Sequence, residues 1–238
     1  MNFPGYSLLG SVANLAKAGA SYVEAKIDET TRRINMSDLI NADISNLKVV
    51  EKAGEFQVLP KGGNLVVATQ VFGIGLGWDA SKGGANFDLD ASALLLNDSK
   101  NPATSTPIIY YAVKEDSRNS IKHSGDNLTG AGDGDDEVIL VDVSKLDPSV
   151  NEIDVIINVY DAASRNQNFG QVSNAYVRLF DVSTGEVFVR YDLAEDYSMN
   201  TGVFVGKIYK NNDQWKFKAV GAGVNGSISD IAKQVVTL

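Results

Sequence analysis

From Phe56 onward, the apolar residues fall into short runs separated by Gly, Asn, Asp and Pro, which is typical of strands joined by turns. The runs cover 65–71, 89–96, 107–113, 137–143, 153–160, 176–180, 187–191, 203–209 and 215–220. In the run at 153–160, Ile153, Val155, Ile157 and Val159 lie on one face, as in a half-buried strand. About nine strands of this kind predict an all-β fold, an antiparallel β-sandwich of two sheets with its loops gathered at two ends.

Near the start of the chain, the apolar residues recur with the period of a helix. Leu8, Val12, Leu15 and Gly19 recur at steps of three and four residues, and the stripe continues to Val23. This spacing predicts an amphipathic helix within an extension at 1–34. The simpler interpretation is that the helix packs on its own domain or on a neighbouring copy. A membrane-surface anchor is the alternative, although such helices usually carry many Lys and Arg on the polar face.

Residues 35–56 form a connector of mixed composition, and residues 57–238 form the predicted β-sandwich. The helical period returns only at the carboxyl end. Ser227 and Asp230 there match a capping box, and the apolar residues that follow keep helical spacing. We therefore expect a short C-terminal helix.

Composition narrows the classes of function. The 238 residues are 44% hydrophobic, which is enough for a substantial core without crosslinks, and the absence of cysteine excludes disulfides and thiolate metal sites. The single histidine, His123, excludes multi-histidine metal sites. The net charge of −9 argues against nucleic acid as a partner, since phosphate binding needs clustered Lys and Arg. Without a long apolar span or a leader pattern at its start, the sequence predicts a cytoplasmic protein.

The segment 124–137 is the most acidic part of the chain. It contains five carboxylates and four glycines but no Lys or Arg. Ca²⁺ accepts several carboxylate, carbonyl and water oxygens at once, so the pattern favours a calcium site; a solvated acidic turn is the alternative. An EF-hand starting at Asp133 is excluded, because Val138 and Ser144 occupy the positions that need Gly and Glu.

A second acidic group begins the run at 89–96. Asp88 and Asp90 are two residues apart, so in a strand both side chains point to the same face. If this edge lies beside the 124–137 loop, the two groups together offer enough oxygens for one or two Ca²⁺ ions. Taken alone, Asp88 is equally compatible with a turn residue, and Asp90 with a partner in an ion pair.

Eight segments, in this order and spacing, carry a resemblance to a known family. They are Lys61-Gly-Gly-Asn64, Gly75-Leu-Gly-Trp-Asp79, Phe87-Asp-Leu-Asp-Ala-Ser92, His123-Ser-Gly-Asp-Asn127, Gly132-Asp-Gly-Asp-Asp-Glu137, Asp161-Ala-Ala-Ser-Arg-Asn-Gln-Asn-Phe-Gly-Gln-Val-Ser-Asn-Ala175, Asp192-Leu-Ala-Glu-Asp-Tyr197 and Trp215-Lys-Phe-Lys-Ala-Val-Gly221. They resemble the successive signatures of the TerD family of bacterial tellurite-resistance and stress proteins, over roughly residues 57 to 238.

The resemblance implies a calcium-binding β-sandwich with a cytoplasmic role in resistance to tellurite, chemical damage, phage or similar stress. Carried over position by position, it implies the metal-site candidates Asp88, Asp90, Asp126, Asp133, Asp135, Asp136 and Glu137, with Asp79 a weaker one. The expected partners are other stress-resistance proteins, which the resemblance implies, or other copies of the chain, which the apolar stripe of the N-terminal helix suggests. Peripheral membrane association is a further option.

Catalysis is not indicated by the sequence. His123 has no serine or cysteine beside it in a nucleophile motif, and the glycines at 73–77 lack the Lys-Ser/Thr that completes a phosphate loop. The leading hypothesis is a non-enzymatic protein in which Ca²⁺ orders a partner-contacting surface. The alternative is a self-assembling or membrane-surface protein that uses the N-terminal helix and holds Ca²⁺ as a structural ion.

Overall fold

The structure is a computed structural model and describes residues 22–25, 44, 47–50, 59–81, 86–132, 134–183, 185–193 and 197–238. Thirteen strands occur in these ranges: β1 (Tyr22–Ala25), β2 (Leu47–Val50), β3 (Asn64–Val66), β4 (Val71–Gly77), β5 (Leu89–Leu96), β6 (Ile108–Ile109), β7 (Ile121–His123), β8 (Glu137–Asp142), β9 (Glu152–Val159), β10 (Tyr176–Asp181), β11 (Val187–Asp192), β12 (Gly202–Asn211) and β13 (Gln214–Val224). The helical pieces are α1 (Ala162–Arg165), a 3₁₀ turn (Phe169–Gln171) and α2 (Ile228–Val235).

Two antiparallel sheets form the sandwich. The five-stranded sheet has the order β11-β10-β4-β8-β7, and the six-stranded sheet has the order β3-β13-β12-β9-β5-β6. Alternate residues of both sheets point inward and meet in one apolar core, which includes Phe72 and Ile74 of β4 and Ile153 and Ile157 of β9. The predicted β-sandwich of two sheets is therefore confirmed.

The short C-terminal helix is also confirmed. The Ser227 hydroxyl accepts a hydrogen bond from the Asp230 N–H, and the Asp230 carboxylate accepts one from the Ser227 N–H, so the capping box is complete. Helix α2 lays Ile231 and Val235 on the outer face of the six-stranded sheet, against Phe204 of β12 and neighbouring apolar residues. That sheet is thereby covered on both faces.

Some predicted boundaries were wrong. The run at 65–71 is divided between β3 and β4, and of the run at 107–113 only Ile108–Ile109 is a strand. Tyr110 and Val113 exchange backbone hydrogen bonds across a tight turn, which ends the strand early. The predicted N-terminal helix does not extend over Tyr22–Ala25, because these residues form β1 and pair with β2. The rest of 1–34 lies outside the described residues.

None of the helices in the described part of the chain combines the length and the apolar character that crossing a bilayer requires.

Candidate metal site

The site forms where the open edge of β5 meets the other sheet. Strand β6 pairs only with Ala93 and Leu94, so no strand among the described residues lies beside the first half of β5 on that side. Side chains from the five-stranded sheet take its place: the Ala91 N–H donates to Oε2 of Glu137 at 2.8 Å, and Nε2 of His123 lies 3.2 Å from the Ala91 carbonyl oxygen. Glu137 and His123 are buried and act as strand substitutes.

Asn127 holds the acidic loop above this edge. Its N–H donates to Oε1 of Glu137 at 3.3 Å, and its side-chain amide donates to Oδ1 of Asp136 at 2.9 Å. Its own Oδ1 accepts the N–H groups of Thr129 and Gly130, each at 3.1 Å. The backbone N–H and the side-chain amide of Asn127 thus hold both sides of the acidic loop, next to Asp126.

Asp88, Asp90 and Asp126 come together here. One carboxylate oxygen of each lies within 4.8 Å of one of each of the others. Asp88 and Asp90 are 3% and 2% exposed, whereas Asp126 is exposed to solvent. Within the described ranges this is the one group of three or more His, Cys, Asp or Glu side chains with metal-ligand spacing.

The burial leaves acceptor oxygens without donors. Asp90 accepts a hydrogen bond from the Asn158 side-chain amide through Oδ2 at 2.9 Å, and Asp88 faces Arg165 through Oδ2 at 3.4 Å. The remaining Oδ1 atoms of Asp88, Asp90 and Asn158 are buried and have no hydrogen-bond partner among the described residues. Orphaned buried acceptors of this kind are uncommon and require an explanation such as a bound ion.

The pKa values of the two buried carboxyl groups also indicate negative charge that is not compensated. Burial, together with the carboxylates of Glu137 and Asp88, raises the pKa of Asp90 to about 8. Burial and then Asp126 raise the pKa of Asp88, against the lowering effect of Arg165. Arg165 stacks over the Tyr160 ring at 4.9 Å and is one-third exposed, so it compensates only part of the negative charge.

The donor set fits a hard cation. Carboxylate and amide oxygens are the ligands of Ca²⁺ and Mg²⁺, and the described residues offer up to four such side chains, Asp88, Asp90, Asp126 and Asn158. Ca²⁺ tolerates an irregular set that mixes a half-open loop with a strand, whereas Mg²⁺ demands a near-ideal octahedron. The arrangement is therefore better suited to calcium.

A second buried carboxylate pair provides a contrast. Asp154 on β9 is 1% exposed, and burial and the neighbouring Glu152 raise its pKa to about 8. Here, however, Lys100 forms an ion pair with Glu152, and the Lys207 ammonium lies 3.7 Å from the same carboxylate. Both oxygens of Asp154 and Oε1 of Glu152 are also buried without a hydrogen-bond partner among the described residues. The difference from the Asp88–Asp90 pair is the positive charge nearby, because Lys207 and Lys100 both act to lower the pKa of Asp154.

The other sequence-predicted ligands have separate roles. Asp135 is buried and accepts two hydrogen bonds of 2.9 Å from Arg178 and one of 3.0 Å from the Tyr176 hydroxyl. Asp136 accepts the Trp78 N–H at 2.9 Å and the amide of Asn127, and Glu137 caps the edge of β5. Asp79 accepts from Asn174 at 2.7 Å, at the rim. Asp133 lies outside the described residues.

Sequence reasoning missed Asn158 and Asn127. Asn158 lies on the outward row of β9, directly opposite Asp90 in the register. A polar residue is expected on that row, so the run at 153–160 gave no signal that Asn158 belongs to the site. Asn127 could have been noticed as the asparagine beside a glycine-rich turn, since its side chain can hydrogen-bond backbone groups two and three residues on.

A family model and several bacterial relatives match this chain. The family model described as "TerD domain" matches residues 57–235. General stress protein 16U of Bacillus subtilis (strain 168) is 47% identical over 67% of this chain and 83% of its own length. Tellurium resistance protein TerD of Serratia marcescens is 40% identical over 74% of this chain and 95% of its own.

A solved structure supports the fold. A homologue of telluride resistance protein (TerD) from Streptomyces coelicolor A3(2) superposes with a TM-score of 0.60 at 20% identity. The superposition covers 70% of this chain and 97% of the other.

Proposed function

Because the chain belongs to the TerD family, we propose that it is a non-enzymatic calcium-binding protein of the bacterial stress response, of the tellurite, chemical-damage or phage-resistance type. The relatives supply the stress-resistance part of this proposal through their names. The site supplies the calcium part, which is the part that the titration below tests.

One observation carries the calcium assignment. Two carboxylates, Asp88 and Asp90, are almost wholly buried beside a third, and each keeps an oxygen with no donor among the residues that the structure describes. Burying like charges together is costly unless an opposite charge compensates them. The Arg165 guanidinium, at 3.4 Å from Asp88 and partly in solvent, is too distant and too hydrated to compensate both.

The chain's own residues prepare the site. Asn158 orients Asp90, Arg165 orients Asp88, and the Asn127 network holds the loop that carries Asp126. Bound Ca²⁺ would supply the positive charge that offsets the three carboxylates. Drawing Asp126 toward β5 then orders the loop at 124–132, together with the neighbouring Tyr111 and Tyr160 rings, which meet edge to face at 6.0 Å. This ordered rim is the proposed contact surface for partners.

The proposed partners are other copies of the chain or other stress-resistance proteins in the cytoplasm, and not nucleic acid. The non-enzymatic assignment is supported by the state of His123. Its Nδ1 accepts the Gly125 N–H at 2.9 Å and its Nε2 faces the Ala91 carbonyl, so both ring nitrogens are engaged, and the residue is 2% exposed. The chain's single histidine thus links the acidic loop at Gly125 to the edge of β5 at Ala91.

Calorimetric titration of chelator-stripped protein with Ca²⁺, alongside thermal melts, tests the proposal. We expect saturable binding and a raised melting temperature, because a ligand that binds only the folded state stabilises it. The double variant Asp88→Asn, Asp90→Asn should lose both responses. The matched control Asp213→Asn, in the exposed β12–β13 turn, should keep them.

Unchanged affinity in the double variant would refute the assignment of these residues. If neither heat nor a thermal shift appears in the unaltered protein, the acidic cluster does not bind calcium and the calcium function is wrong. A parallel titration with Mg²⁺ separates a calcium site from a general divalent one, since stronger Mg²⁺ binding would contradict the ligand argument.

A further inference from the structure

The outer face of the five-stranded sheet carries fully buried side chains, as the core between the two sheets does. Phe72 and Ile74 of β4 point into the main core, so Gly73 between them faces outward. Its register partners on the two neighbouring strands are Phe180 and Leu140, which therefore share the outward face. Both side chains are 0% exposed, although they point away from the core between the sheets.

A buried ion pair lies on the same face. Arg178 precedes Phe180 by two residues on β10, is 0% exposed, and forms its two 2.9 Å hydrogen bonds with Asp135. A guanidinium on a sheet surface open to water would keep part of its area accessible. A sheet face in which the apolar and the charged side chains are all sealed needs a covering layer.

Helix α2 is not this layer, because it packs against Phe204 and Leu94 on the outer face of the other sheet. Ile44, which lies outside both sheets, has the required property. It is 2% exposed, although it precedes the region that the TerD domain model matches from residue 57. An isoleucine so completely buried must lie against an apolar surface.

We propose that the amino-terminal extension, defined here as residues 1–56, docks on the outer face of the five-stranded sheet, with Ile44 packed on the surface formed by Leu140 and Phe180. The extension has the apolar content to do so, because it contains Leu39, Ile40 and Ile44 within six residues. The docked extension shields this face from other proteins.

A cover formed by the amino-terminal extension would be a particular feature of this chain. The match to the Serratia marcescens relative takes in 95% of that protein, so little of its sequence remains to supply a comparable segment. The same face in such a protein must be covered by something else or remain available for contacts. The extension therefore acts as an intramolecular occupant of a potential interaction surface.

Thiol labelling tests the docking directly, because the chain has no cysteine of its own. Leu140→Cys places a thiol on the outer face, and Val141→Cys places one in the main core; the two are adjacent on β8 and both are 0% exposed. Each is made in the full chain, alone and together with Ile44→Asp, and is reacted with a thiol reagent under native conditions. The matched control for Ile44→Asp is Met199→Asp at an 82% exposed position.

We expect slow labelling of both thiols in the unaltered background. Ile44→Asp should accelerate labelling at position 140 by at least about tenfold, the effect of weakening the docking by about 1.4 kcal/mol, and leave position 141 unchanged. Met199→Asp should change neither rate. Fast labelling at 140 without Ile44→Asp, no acceleration with it, or equal acceleration at 140 and 141 would each overturn the proposal. If Leu140→Cys does not fold, Val138→Cys on the same outward row replaces it.

Discussion

Replacing Asp90 by asparagine should stabilise the calcium-free protein, and bound calcium should reduce or reverse that advantage. Asp90 is 2% exposed, and its pKa is raised to about 8 by burial and by the carboxylates of Glu137 and Asp88. In the metal-free protein at neutral pH, this side chain must therefore either keep a proton or hold an uncompensated charge. Asp90→Asn keeps the shape and removes the need for either.

The magnitude follows from the pKa. The ordinary value is 3.8 and the folded value is about 8, and each unit between the unfolded pKa and the solution pH corresponds to about 1.4 kcal/mol. At pH 7 this gives at most about 4 kcal/mol, and relaxation of the half-open site reduces it, so we expect a gain of about 2–4 kcal/mol. The Asn158 amide can rotate, so that its unpartnered Oδ1 accepts a hydrogen bond from the new amide. For a chain of this size, each kcal/mol raises the melting temperature by about 2–4 °C.

Thermal melts in chelator between pH 4 and pH 9 are the assay. A raised carboxyl pKa contributes stability that is fully present below the unfolded pKa and is lost as the pH rises through the folded pKa. The advantage of Asp90→Asn should therefore be close to zero near pH 4 and grow until about pH 8. Saturating Ca²⁺ should stabilise the unaltered protein more than the variant and so reduce or reverse the difference. A variant that is less stable in chelator at pH 8, or a difference independent of pH, would refute the reasoning.

Three further predictions concern other parts of the structure. Arg178→Met should lower the free energy of unfolding in urea by about 3–5 kcal/mol, because it leaves Asp135 buried without its cation; a loss under about 1 kcal/mol would contradict this. Glu137→Met, which removes both acceptor oxygens, should cost about 1–3 kcal/mol and speed hydrogen exchange at the Ala91 amide, which would remain protected if the carboxylate were not its acceptor. Ser227→Ala should cost about 1 kcal/mol in the same denaturation assay, through loss of the helix cap, and an unchanged midpoint would count against the capping box.

The strands that could be predicted are those in which the pattern of apolar and polar residues, or of turn residues, is visible along the chain itself. The run at 153–160 shows the alternation of a half-buried strand, and the pair β12–β13 is joined by a two-residue turn in which Asn212 has a φ of 55°. Such a turn favours asparagine, so the hairpin is encoded locally. Strand β7 is short, three residues from Ile121 to His123, and its stability comes from pairing with β8, which no local pattern records.

The site was only partly predictable, for a related reason. The two acidic groups had the residue types that a hard cation needs, but spacing along the chain does not show which carboxylates meet one another and which pair with a buried arginine. Asp126 joins Asp88 and Asp90, whereas Asp135, further along the same loop, is turned to the outer face of the other sheet and meets Arg178 there. That partner lies 43 residues away in sequence, and only the fold brings the two together.

The sequence of β8 itself indicates that a further layer covers the five-stranded sheet. Val138, Ile139, Leu140 and Val141 form a continuous apolar run rather than an alternating one. An antiparallel strand with one face in water alternates, and a continuous run indicates burial on both faces. A simple two-layer sandwich buries only one face of each sheet, so the run requires a third layer over the five-stranded sheet. The six-stranded sheet has α2 for this purpose, and the burial of Ile44 supports the amino-terminal extension as its counterpart on the opposite side.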